Sequence, residues 1–236
     1  MKHIVLSPHP DDAVWSVGGR IRWWVSRGEA TTVVTVFDGP GEVDTDQWRR
    51  VAEPATRRSE DIAAIACVGA RRVSLGLADA AVRADRGVHR YSNPMRLFGR
   101  IHDKDADLPE VVADAVAGLL APHAVVHVPL AAGRHVDHRL VRQAAGLLAE
   151  RGVPIRFYED IPYRLRPADH TGLRPGHEPV DLAGWLSAAE QYHSQVAVLF
   201  GSVAAMRDAL STRALEYAQG TPWPHAGRYW TSTESA

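Results

Sequence analysis

The chain has 236 residues, 45% of them hydrophobic and 23% charged, with a net charge of −1. That composition supports a sizeable core in one domain spanning 1–236 and excludes disorder over most of the length. The near balance of charge argues against a nucleic-acid binder, the single cysteine (Cys67) excludes a disulfide framework and a Cys-based zinc site, and no apolar run approaches the ~18 residues of a membrane span.

Met1–Leu6 is too short an apolar stretch before Ser7-Pro8 to act as a signal sequence, so a soluble cytoplasmic protein is expected. In chain order, the pattern predicts a strand at His3–Leu6, a helix at Val14–Arg27 stopped by Gly28, and a buried β-branched strand at Thr31–Phe37. A long loop over Asp38–Pro54 precedes a helix at Thr56–Val68 closed by Gly69 and a strand at Arg72–Leu75. Gly76–Ala106 lacks a period and reads as a long covering loop. Asp107-Leu108-Pro109-Glu110 predicts a capped helix start, with the helix running to about Leu120. A strand at Ala124–Val128, a helix at Asp137–Arg151 and a strand at Ile155–Tyr158 follow. Arg166–Pro179, with three Pro and two Gly, reads as a loop, and helices near Leu182–Gln195 and Ala204–Ala218 end the chain. The alternation predicts an α/β fold: a three-layer, Rossmann-like, mostly parallel sheet with helices on both faces.

Ligands of such sheets bind beyond the carboxyl ends of strands. Two clusters fall there. His9-Pro10-Asp11-Asp12 follows the first strand, and His135-Val136-Asp137-His138 follows the strand Ala124–Val128. Alone, an Asp-Asp pair after a strand is commonly a turn or helix cap, and His-x-Asp-His an exposed helix start. Both at matched strand ends favour a site. Two His and one carboxylate make a catalytic zinc set, compatible also with Fe²⁺, Mn²⁺ or Co²⁺. The remaining carboxylates and imidazole can serve as base, orienting group and oxyanion stabiliser. Gly18-Gly19 lets the following helix pack closely on the sheet.

Other features have plainer readings. Trp15 could wall a pocket or stack on a sugar, whereas Trp23 and Trp24 read as core. His102-Asp103-Lys104-Asp105-Ala106-Asp107 reads as a polar lead into a helix cap rather than a second metal site. Glu42, Asp44 and Asp46 lack calcium-loop spacing. Cys67 reads as a small core residue, and Tyr192 and His193 as part of an amphipathic helix. Neither a G-x-S-x-G elbow nor a phosphate-binding loop occurs.

His-Pro-Asp-Asp after the first strand, then Gly-Gly, then a distant His-x-Asp-His, resembles the PIG-L/LmbE-like family of zinc-dependent N-acetylglucosaminyl deacetylases, over roughly the first 150 residues. Tyr158-Glu159-Asp160-Ile161-Pro162-Tyr163 also fits that family. The resemblance implies His9, Asp12 and His138 as metal ligands and Asp11 as general base. It implies His135 as the protonated group at the oxyanion, charged or oriented by Asp137, and Arg57 and Asp79 as contacts to sugar hydroxyls. Ala13 departs from the pattern, standing where many members have Glu. The implied partner is a small N-acylated substrate, with no nucleic acid or membrane; a homo-oligomer is left open. Two other readings remain at this point: a metal-dependent amidase acting on a thiol conjugate or peptide-like metabolite, and a non-catalytic α/β binding protein.

Overall fold

β1 (Lys2–Ser7), β2 (Ala30–Thr35) and β3 (Arg71–Ser74) pair in parallel, and β6 (Ala124–Pro129) and β7 (Ile155–Tyr158) continue the parallel sheet on the other side of β1. Two antiparallel strands, β8 (Leu173–Pro179) and β9 (Ala226–Ser232), complete a seven-stranded sheet of order β3-β2-β1-β6-β7-β9-β8. A small hairpin of β4 (Ala84–Asp85) and β5 (Val88–His89) stands apart from it. The structure is a computed structural model that describes residues 1–41, 53–163 and 165–233.

Helices cover both faces. The period-2 alternation of strand side chains divides the core. Val5 and Val33 face α1 (Asp12–Ser26), α2 (Pro54–Val68), α5 (Leu182–Ala189), α6 (His193–Leu199) and α7 (Val203–Ala218). Ile4, Leu6, Val34, Val126 and Val128 face α3 (Leu108–Ala117) and α4 (Val136–Glu150). Among the described residues no helix is long and apolar enough to cross a membrane.

The expected mostly parallel α/β sheet is present, and several local expectations need correcting. Arg166–Pro179 is not all loop, because Leu173–Pro179 is strand β8; Pro175 and Pro179 are tolerated because β8 is the sheet edge, where a missing N–H breaks no ladder. The chain does not end on helices, since β9 follows α7 and pairs along all of β8. The stretch Leu182–Gln195 is two helices broken before His193. Asp107 makes no side-chain cap: its own backbone is already near-helical (φ −86°, ψ −15°), whereas a capping residue needs an extended one. Gly18 and Gly19 do admit close packing, but of Trp185 on α5. A Cβ on Gly18 would lie 2.7 Å from Trp185 Cδ1, and the Trp185 indole donates to Val14 O at 2.7 Å.

Within Gly76–Ala106 lie the β4–β5 hairpin and a 3-10 turn at Pro94–Phe98. Asp105, fully buried there, accepts from Tyr91 Oη at 2.6 Å and pairs with Arg83 and Arg90, so it is a structural anion. Cys67 packs half-buried against the core. Tyr192 is buried and donates to Asp61 at 2.9 Å, while His193 is exposed. Glu42, Asp44 and Asp46 lie outside the described residues.

Candidate active site

β1 and β6 are sheet neighbours whose onward connections run to opposite sides, β1 to β2 and β6 to β7. This is the switch point at which an open α/β sheet parts its loops into a crevice. The loop after β1 delivers His9, Asp11 and Asp12. The loop after β6, running into α4, delivers His135, Asp137 and His138. Ser7 fixes the first turn, donating to His9 O at 2.6 Å and accepting the Ala13 N–H at 2.9 Å. Asp11 is held there at φ 106°, a conformation that costs a non-glycine residue on the order of 1–3 kcal/mol.

The donor atoms gather around Asp12. Its Oδ2 accepts the His9 N–H at 2.9 Å and lies 3.1 Å from His9 Nδ1 and 3.2 Å from His138 Nε2. Nitrogens of His9, His135 and His138 fall within 4.8 Å of one another, as do donor atoms of His9, Asp79 and Asp137. This buried imidazole–carboxylate donor set fits a borderline divalent ion such as zinc. His138 Nδ1 donates to Asp160 Oδ1 at 2.6 Å, leaving Nε2 for a ligand, the pattern that orients metal-binding imidazoles. Burial opposes a charged His9, but Asp79, Asp12 and Asp137 outweigh it and raise its pKa to about 9. His138 is likewise held well above its ordinary value by Asp12 and Asp160, against the effect of burial. A cation taken up here competes with protons.

Asp137 is fully buried and does not contact the His135 ring with its carboxylate. Its oxygens accept from His9 Nε2 at 2.9 Å, from the Ala80 N–H at 2.9 Å and from Arg83 Nη2. Only its backbone N–H reaches His135, donating to Nδ1 at 3.3 Å. The expected Asp137-charged His135 is therefore replaced by a different arrangement. Burial and the neighbouring His9 lower the His135 pKa to about 3 despite the nearby Asp137, and a bound cation would push it the same way. His135 is a neutral imidazole whose proton sits on Nε2.

Asp11 is the contrasting carboxyl. Burial raises its pKa to about 7; Asp12 adds to that rise while Arg57 and His9 oppose it. Asp12, three bonds along the backbone, stays ionised far below the ordinary range because His138 and His9 outweigh burial. Arg57, from the first turn of α2, reaches back to Asp11 Oδ2 at 3.2 Å, Asp79 Oδ2 at 3.2 Å and Pro10 O at 3.1 Å. Its buried Nε has no hydrogen-bond partner among the described residues.

A cavity of about 320 Å³ opens over this cluster, lined by His9, Asp11, Asp12, Arg57, Asp79, His135 and His138, with Asp137 behind them. Trp15 contributes to the wall but is anchored in the core, with its indole N–H donating to Ala189 O at 3.3 Å. The sequence reading assigned no role to Asp160, Arg83 or the apolar rim of Phe98, Tyr163 and Leu199. Asp160 follows β7 as Asp11 follows β1, so inspecting every strand end would have found it. Arg83 and Phe98 sit in aperiodic loop, where no pattern marks them.

The model of the PIG-L family, described as GlcNAc-PI de-N-acetylase, matches residues 4–148. A 2'-N-acetylparomamine deacetylase from Streptomyces fradiae is 33% identical over 68% of this chain and 57% of its own length, so the matched region spans little more than half of that relative. One of the same name from Niallia circulans is 28% identical over 84% of this chain and 82% of its own. Among solved structures, a zinc-inhibited form of teicoplanin deacetylase superposes with a TM-score of 0.81 at 25% identity over 100% of both chains. An A40926 pseudoaglycone deacetylase does so with a TM-score of 0.76 at 27% identity over 99% of this chain and 98% of its own. With the family model matched across both strand-end clusters, the chain belongs to the PIG-L family.

Proposed function

We propose that the chain, as one domain over 1–236, is a divalent-metal-dependent hydrolase that removes an acetyl group from the amide nitrogen of an amino-sugar conjugate. The observation that carries this reading is geometric: Asp12 lies between His9 and His138, 3.1 Å and 3.2 Å from their ring nitrogens, while the adjacent Asp11 is turned to Arg57 at 3.2 Å and stays free of both imidazoles. Relatives named as deacetylases of 2'-N-acetylparomamine, teicoplanin and the A40926 pseudoaglycone support the reaction class.

His9, Asp12 and His138 would hold the ion, zinc or a similar divalent metal. When bound, it supplies a Lewis acid that acidifies water and polarises an amide carbonyl. Asp11 takes a proton from the attacking water and returns it to the leaving nitrogen as the C–N bond breaks, the work of a carboxyl tuned near neutrality. His135 donates its Nε2–H to the oxygen that gains charge, a role a neutral imidazole performs. Asp137 and Asp160 fix the rings of His9 and His138. Asp79 and the unpartnered Nε of Arg57 offer an acceptor and a donor to sugar hydroxyls.

The experiment is acetate release from an N-acetylglucosaminide by protein stripped of metal and then reloaded with zinc. Restoration of turnover supports the reading. Hydrolysis of simple alkyl acetamides as fast as the sugar would move the assignment to a general amidase.

A further inference from the structure

One half of the cavity has no part in the chemistry. Opposite the charged floor, its wall is Pro94, Leu97 and Phe98 from the 3-10 turn, Ile161 and Tyr163 after β7, and Leu199 at the end of α6. Phe98 is 45% exposed, yet its ring meets His135 edge-on at 5.5 Å and Tyr163 at 6.3 Å. Leu199, also 45% exposed, stands in the same lining. Three more large apolar side chains are exposed close by in the chain: Met95, to 84%, on the 3-10 turn, Val198 on α6, and Val203 at the start of α7. Apolar side chains gathered at the mouth of a polar pocket mark a binding surface.

Charge narrows what that surface accepts. Every carboxylate lining the cavity among the described residues lies on the charged floor and has partners there: Asp11 has Arg57, Asp12 has His9 and His138, and Asp79 has Arg57 and the Ala81 N–H. None stands on the apolar wall, where an acceptor's ammonium groups would fall. Arg96, two residues before Phe98, and Arg134, next to His135, are both exposed but do not line this cavity. A polycationic acceptor would meet apolar side chains there, whereas an aryl group would bury its face on Phe98 and Tyr163.

We infer that Phe98, Tyr163 and Leu199 form an acceptor subsite for an apolar, aromatic aglycone, so that the enzyme selects aryl N-acetylglucosaminides over N-acetylated oligo-amino sugars carrying several ammonium groups. This rests on the deacetylase reading of the floor and specifies the substrate class. The subsite makes no covalent contribution; it positions the acetamide over the charged floor by burying the aglycone.

The test compares three probes with the zinc-loaded enzyme: an aryl N-acetylglucosaminide, its methyl glycoside, and a mono-N-acetylated aminoglycoside. Acetate release gives kcat/KM. Equilibrium binding of the matching deacetylated aryl and methyl amines is measured in parallel. The expected result is kcat/KM for the aryl glycoside roughly tenfold or more above the methyl glycoside, as burial of one apolar ring provides, with the aminoglycoside below both. In Phe98→Ser and Leu199→Ser the aryl-to-methyl ratio falls toward unity, in turnover and in binding alike. Equal turnover of all three probes, or an aryl preference untouched by both variants, overturns the subsite while leaving the deacetylase intact. No turnover of any probe, with aryl binding still lost in Phe98→Ser, overturns the deacetylase reading and retains the subsite. No aryl preference in binding either overturns both.

Discussion

Arg57 holds Asp11: its Nη2 lies 3.2 Å from Asp11 Oδ2, while Nη1 of the same guanidinium lies 3.2 Å from Asp79. A residue expected to touch sugar hydroxyls thus also sets the ionisation of the candidate base. Arg57→Ala removes a cation that lowers the Asp11 pKa, so the acid limb of kcat/KM moves to higher pH. Arg57→Lys should return part of the shift. A raised KM with an unmoved pH profile would reduce Arg57 to a substrate contact.

His135 and Asp12 both lie beside His9 and His138, so the proposed ion could take either as its third ligand. His135→Ala is expected to keep its metal and lose roughly 10²–10³ in kcat, the usual effect of removing an oxyanion donor. Asp12→Ala is expected to lose metal as well as rate. Elemental analysis of both variants decides; the reverse pattern would make His135 the ligand.

Asp160 acts through His138. Asp160→Asn keeps the shape but weakens the charge-assisted bond to Nδ1, and should cost about 10–100-fold in zinc affinity. Competition with a chromophoric chelator reads this without any substrate. Unchanged affinity would place His138 outside the ligand set.

The convergence of the two clusters was legible because each is local in sequence. Each cluster sits within four consecutive residues at a strand end, and strand ends are where an α/β sheet binds ligands. What the sequence hid is what the tertiary fold assembles. Asp160 is 22 residues from His138, and Arg83 is 54 from Asp137. The Asp137 side chain points to His9, 128 residues away, rather than to His135, two residues away. Strand β8 was missed because its Pro and Gly content reads as loop, and only its place at the sheet edge reconciles them.

Away from the site, a buried relay predicts how stability responds to acid. Arg20 donates to His127 Nδ1 at 3.2 Å, His127 Nε2 donates to His3 Nδ1 at 3.0 Å, and His3 Nε2 donates to Glu29 at 2.9 Å. Both rings are neutral in this chain of bonds. Burial lowers both pKa values, and Arg20 lowers His127 further. Below the ordinary histidine pKa of about 6.5 the unfolded chain binds more protons than the folded one, so this contribution falls as pH falls. The Tm difference between wild type and His127→Gln should therefore shrink from pH 7.5 to 5.5. A constant difference would remove the relay from the account.

The central claim is that Asp11 works as a base beside an ion it does not hold. The measurement is acetate release at pH 7 from an N-acetylglucosaminide by zinc-loaded Asp11→Asn, with metal content determined on the same sample. The account predicts undiminished metal and a rate lower by about 10²–10⁴-fold. A variant that keeps both its metal and the wild-type rate would contradict it.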